Sequence, residues 1–112
     1  MSDARTWTVP TDGNLAEEVL EKTPFEERVF EFDFAKKMKS GDVLSAPAIV
    51  TTGPTSVPTN EAATVSGMKV LVEMIGGSHG GEYLVNCRVT NTSGAASEKL
   101  EFSGRLVVRN PS

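Results

Sequence analysis

The chain has 112 residues, which suits one small domain and is too short for two. Eleven basic residues against fifteen acidic ones give a formal net charge of −4. This charge argues against nucleic-acid or membrane partners, because nucleic acids and anionic lipids are bound mainly through lysine and arginine contacts to phosphate. One cysteine and one histidine exclude a disulfide framework and the usual metal sites, so we expect no cofactor and no metal. No apolar signal segment opens the chain, which indicates synthesis in the cytoplasm.

Residues 1–24 lack the regular alternation of the later sequence and are predicted to form an N-terminal docking arm that contains a short helix. Asn14 is a suitable N-cap for this helix. Leu15 and Val19 stand four residues apart, and Leu20 widens the same apolar stripe. A helix of two or three turns is marginal by itself, so we expect it to pack against another surface.

Residues 25–112 alternate between apolar and polar positions, which is typical of β-strands. Pro47 predicts an edge strand or a bulge in the second of these strands, and Gly104 predicts a bend or bulge in the last. A seventh strand forms if the segment around Trp7 also pairs. This spacing favours an all-β fold, an antiparallel immunoglobulin-like β-sandwich. The predicted strands cover residues 28–34, 43–52, 62–66, 69–75, 82–90 and 98–109.

The carboxylates that stand close in sequence give little support to an enzyme. Glu31, Asp33 and Asp42 could supply an acid/base pair, but the first two lie on the polar side of a strand, where solvated charges are expected. The sequence therefore predicts a non-enzymatic protein with no catalytic residue.

Two other features suggest chemistry but are better explained structurally. The glycine-rich segment Gly76–Gly81 lacks the spacing of a phosphate-binding loop and precedes a strand, so we interpret it as a hairpin loop with His79 exposed at its tip. Cys87 lies on the apolar side of its strand, which predicts a buried thiol.

The apolar residues of the arm are the candidate docking residues, because tryptophan and exposed aliphatic groups are favoured interface anchors. In one alternative, Trp7 instead folds back onto its own sandwich. The docking interpretation predicts that removal of residues 1–24 leaves a folded sandwich that no longer assembles. The candidate docking residues are Trp7, Val9, Pro10, Leu15, Val19 and Leu20.

The order of several short motifs over residues 22–109 resembles a family of small tailed-bacteriophage virion proteins that includes the phage fibre–tail adaptor proteins. The resemblance implies a virion protein that joins the tail or baseplate to fibres, in several copies of a symmetric assembly, with other virion proteins as partners. The motifs are Pro24-Phe25-Glu26, Phe32-Asp33-Phe34, Gly41-Asp42-Val43-Leu44, the Gly77–Gly81 turn, the strand Tyr83–Thr90, Ser93-Gly94 and Glu98–Phe102.

Other functions remain open at this point. A position at the phage neck or on the capsid surface fits the same resemblance. A free carbohydrate- or surface-binding β-sandwich is an alternative of another class, and it requires exposed aromatic platforms such as Trp7 or Tyr83.

Overall fold

The structure is a computed structural model that describes residues 5–10, 15–53 and 58–109, with the backbone alone for residues 5 and 15–18. Within these ranges the chain is all-β, as predicted, with a single short 3₁₀ turn at Ala35–Lys37. The strands are β1 Arg5–Thr8, β2 Leu15–Lys22, β3 Glu27–Asp33, β4 Val43–Thr52, β5 Thr59–Asn60, β6 Thr64–Ser66, β7 Lys69–Ile75, β8 Gly81–Ser93 and β9 Ala96–Val108.

The strands form two sheets. In the first, the order is β1-β3-β7-β5, and β6 also pairs with β7; in the second, the order is β2-β9-β8-β4. The pairs β1–β3 and β2–β9 are parallel, and the other pairs are antiparallel. The prediction of a purely antiparallel fold is therefore wrong for the two N-terminal strands, each of which joins the edge of one sheet.

The predicted helix after Asn14 is wrong: residues 15–22 form strand β2, and Asn14 itself lies outside the described residues. The backbone of β9 offers a row of hydrogen-bonding groups along its free side, and β2 pairs with it, with Leu20 opposite Leu106. Tertiary pairing thus outweighs the weak propensity of an eight-residue helix. As a result Val19 and Leu20 point to opposite faces, and only Leu20 packs against the core.

The core lies between the two sheets and is rich in aromatic rings. The alternation predicted for β3 is confirmed, since Phe30 and Phe32 are fully buried and Phe34 follows them into the core. Trp7 stacks on Phe30 at a ring-centroid distance of 5.2 Å, and Phe32 meets Phe102 of the second sheet edge-on at 6.3 Å. The first contact joins β1 to β3 within the first sheet, and the second joins the first sheet to the second.

The bulge predicted at Gly104 is absent from the β8–β9 ladder, and the irregularity at this point lies in the β2–β9 pairing, which shifts register between Leu15 and Val19. The β8–β9 ladder runs through the pair Val85 and Gly104 without a shift of register. A Cβ atom at position 104 would collide with the indole of Trp7, which packs directly over the glycine and donates from Nε1 to the Arg105 carbonyl at 3.2 Å. The glycine is needed because it leaves space for a large ring from the opposite sheet.

The bulge predicted at Pro47 is confirmed. Strand β4 is an edge strand whose pairing with β8 shifts register between Ser45 and Ala48, and Ala46 has a positive φ of 52°. A bulge with a proline removes part of the regular edge that another strand needs for pairing. This edge is therefore poorly suited to adding a strand from a partner.

The segment Gly76–Gly81 is not a hairpin loop. It joins β7 of the first sheet to β8 of the second, and His79 is exposed within it. The backbone N–H of Ser78 donates to the hydroxyl of Tyr83 at 3.2 Å, which ties the loop to the second sheet. Strands that are adjacent in a sequence often pair, which favours a hairpin. Here β7 and β8 belong to different sheets, whose apolar faces oppose each other across the core.

Cys87 is buried, as predicted, and burial raises the pKa of its thiol to about 12 from an ordinary 9.0. Between these values the unfolded thiol loses its proton while the folded thiol keeps it, so the free energy of unfolding falls as pH rises. We expect wild type to lose about 1.4 kcal/mol per pH unit above pH 9 relative to Cys87→Ala, measured by urea denaturation. Parallel pH profiles for the two proteins would contradict this assignment.

Candidate docking surfaces

The three carboxylates considered for catalysis each accept hydrogen bonds that stabilise the local structure. Glu31 accepts a hydrogen bond from the Thr6 hydroxyl at 3.2 Å and pairs with Lys69 at 3.2 Å. Asp33 accepts from the backbone N–H of Ala35 at 3.0 Å. Asp42 accepts from the backbone N–H of Lys39 and from the Asn91 amide, and these bonds hold the pKa of its carboxyl below the usual value.

Among the described residues, no three histidine, cysteine, aspartate or glutamate side chains lie close enough together to hold a metal ion. In that same part of the chain, no helix has the length and apolar character that crossing a membrane requires. The exposed apolar and charged side chains of the described residues are considered next.

The candidate docking residues of the N-terminal segment divide into two groups. Trp7 and Val9 are fully buried in the core of their own chain, which is the alternative that the sequence left open. Pro10 and Leu20 are half-buried, and Val19 is exposed. The side chain of Leu15 lies outside what the structure describes. Within the described part, Val19 is thus the residue of this set that remains accessible to a partner.

Val19 shares the outer face of the second sheet with two other exposed apolar side chains, Leu84 and Val50. Its register partner is Arg105, and Arg105 is opposite Leu84, so one row of side chains runs from β2 through β9 to β8. Val50 of β4 faces outward in the next row, opposite Asn86. Val19, Leu84 and Val50 are 47%, 42% and 55% exposed, respectively. The four strands span about 14 Å at the usual strand spacing.

Ion pairs flank this outer face. Arg88 pairs with Glu101 at 2.7 Å, and its hydrogen bond holds the pKa of the Glu101 carboxyl below the usual value. Arg109 pairs with Glu21 at 3.0 Å. Exposed apolar side chains and charged groups thus share this face, and interfaces between proteins commonly contain both.

Sequence reasoning missed Leu84, Val50 and Phe25. For the first two a signal existed, because each occupies an outward position of an alternating strand, where a polar residue is expected. Phe25 lies in the turn between β2 and β3 and is 94% exposed. The sequence around it gives no such signal, since a phenylalanine next to a predicted strand is equally well explained as core.

A two-sheet β-protein with a packed aromatic core, and with exposed apolar and charged side chains together on one outer face, has the features of a structural binding protein. Residues 22–103 match the family model described as podophage GP4 fiber-tail adaptor protein gp77. The chain belongs to this family of bacteriophage structural adaptor proteins. No curated protein sequence matches the chain.

Proposed function

We propose that the chain is a non-enzymatic component of a phage virion that links the tail or baseplate to its fibres. The observation that carries this proposal is the family match over residues 22–103. In this proposal the chain is made in the host cytoplasm. Several copies are built symmetrically into the particle, because repeated weak contacts together give strong attachment.

The N-terminal segment and the outer face of the second sheet are the proposed docking surface for a tail subunit. Trp7 and Val9 hold the segment to the core, and β2 then presents Val19 on the same face as Leu84, with Arg105 of β9 between them. In this proposal the buried residues fix the position of the segment, while the exposed ones contact the partner.

The sheets are proposed to form an immunoglobulin-like sandwich. The orders β3-β7-β5 and β9-β8-β4 correspond to the B-E-D and G-F-C strands of that fold. Strand β1 departs from the pattern, because it runs parallel to β3. Cross-strand NMR contacts that place β4 beside a strand other than β8 would contradict the proposal.

The test is a phage whose gene for this chain is deleted. We expect particles that lack fibres and that regain them when the purified full chain is added, measured by electron microscopy and by protein composition. The variant Leu84→Lys should restore fibres poorly because it removes an exposed apolar side chain of the outer face and places a second cation next to Arg105. The control Met68→Lys, at a half-exposed turn of the first sheet, should restore them fully.

Particles that keep wild-type fibre occupancy without the chain would contradict the proposal. Particles with intact fibres but unjoined heads and tails would indicate a neck protein instead. A carbohydrate-binding function in which Trp7 or Tyr83 is the aromatic platform is not favoured, since both side chains are buried.

A further inference from the structure

The turn between β2 and β3 displays the most exposed large apolar side chain in the described part of the molecule. Phe25 is 94% exposed, well above Val43 at 59%. An isolated aliphatic group on a surface is common, but a nearly fully solvated phenylalanine at the tip of a turn gains no stability from the fold. Its position therefore calls for an explanation outside the folding of this chain.

The backbone on both sides of Phe25 is fixed by reciprocal hydrogen bonds. The N–H of Thr23 donates to the Glu26 carboxylate at 2.8 Å, and the N–H of Glu26 donates to the Thr23 hydroxyl at 3.2 Å. Arg28 holds the same carboxylate at 2.9 Å. Pro24 restricts φ within the turn. The phenyl ring is thus carried on a short, braced support.

A buried lysine anchors this turn to the neighbouring loop. The ammonium group of Lys22 donates to the carbonyl of Thr23 and to that of Gly76, both at 2.6 Å. Burial lowers the pKa of Lys22, and the nearby Glu26 carboxylate partly opposes this shift. The chain thus places a charged group in a poorly solvated position in order to hold the base of the turn.

We propose that Phe25 is a preorganised anchor that inserts into an apolar pocket of a different virion protein, with lysine or arginine side chains at the rim of that pocket. This inference rests on the proposed adaptor function and adds a second contact to it. A braced turn loses little conformational entropy on binding, so most of the burial of the phenyl ring contributes to affinity. Central aromatic residues of this kind dominate interface energies.

The charged groups around Phe25 indicate the chemistry of the partner's pocket rim. Glu26 and Glu21 are neutralised by their ion pairs with Arg28 and Arg109. Lys22 is buried at the base of the turn, where it donates to two carbonyls. Glu27 is exposed beside the ring. A basic rim would complement this tip, whereas a second copy docking tip to tip would oppose like charges.

The experiment uses particles from the gene-deleted phage as the binding probe, titrated with the labelled full chain. Phe25→Ala should weaken binding about 30-fold or more. Its melting temperature should equal that of wild type, because the ring is not buried. Met68→Ala, which truncates a half-exposed apolar residue of the first sheet, is the control and should bind within twofold of wild type.

Charge reversal tests the rim of the pocket. Glu27→Lys should weaken binding several-fold, and the effect should shrink at high salt. Glu98→Lys reverses an equally exposed carboxylate in β9 and should leave binding unchanged. If added protein does not rebind, the same variants are compared by their occupancy in particles assembled in cells that express each one.

The outcomes separate this inference from the proposed function. In one outcome, particles without the chain lack fibres and Phe25→Ala binds these particles as tightly as wild type does. This result overturns the role of Phe25 as an anchor and leaves the adaptor function intact. In another outcome, the purified wild-type chain is an oligomer and Phe25→Ala is a monomer. This result identifies a second copy of the chain as the partner of Phe25 and also overturns the inference. Deleted particles that still carry fibres contradict the adaptor function whatever Phe25 does.

Discussion

Replacing Trp7 with alanine is expected to lower the free energy of unfolding by about 3–5 kcal/mol. The indole is fully buried, stacks on Phe30 and lies 4.9 Å from Phe32 between ring centroids. It is contributed by the short strand β1 yet fills the space between both sheets. A loss of this size is a large part of the total stability of a small domain, so the variant should be partly unfolded at 37 °C.

Urea denaturation followed by far-UV circular dichroism measures this effect, since the substitution removes the single tryptophan. The control Trp7→Phe keeps an aromatic ring but loses the hydrogen bond to the Arg105 carbonyl, so it should cost clearly less. Equal stability of wild type and Trp7→Ala would show that β1 does not pack as described.

Replacing Gly104 with valine is expected to cost about 3 kcal/mol, at the upper end of the overpacking range. The backbone of residue 104 is ordinary extended strand, so the penalty arises from the collision of the new Cβ with the indole of Trp7. Either the ring moves from its place over β9 or the two sheets separate locally. Trp7 fluorescence reports both changes, as a red-shifted emission and an earlier unfolding transition.

A double-mutant cycle tests this cause. In the Trp7→Ala background, which removes the group that collides, Gly104→Val should lose most of its penalty. Ser97→Val, an exposed position of the same strand, is the control and should change stability by less than about 0.5 kcal/mol. Additive costs for Trp7→Ala and Gly104→Val would contradict the packing contact.

The position of the N-terminal segment affects how docking can be studied. Strand β1 completes the first sheet and β2 the second, so removing residues 1–24 would take away two pairings and the core side chains Trp7 and Val9. A failure of the truncated chain to assemble could then result either from lost docking contacts or from unfolding. Substitutions at exposed positions such as Leu84 and Phe25 separate the two.

The central strands could be predicted from the sequence alone. Phe32, Cys87 and Phe102 alternate with polar neighbours, and in a strand that period places one set of side chains in the core whatever the neighbours are. The bulge at Pro47 follows equally from local chemistry, because proline cannot donate to the ladder. The motifs of the central and C-terminal strands also sufficed to indicate the family.

The remaining features arise from contacts between segments that are distant in the sequence. Residues 15–22 became a strand because β9 offered them a free edge, and Gly104 was required because Trp7 arrives over it from the opposite sheet. The exposure of Phe25 likewise depends on a turn held by Lys22 and by groups distant in sequence. Each of these depends on which segments meet in space, and no local period or propensity encodes such meetings.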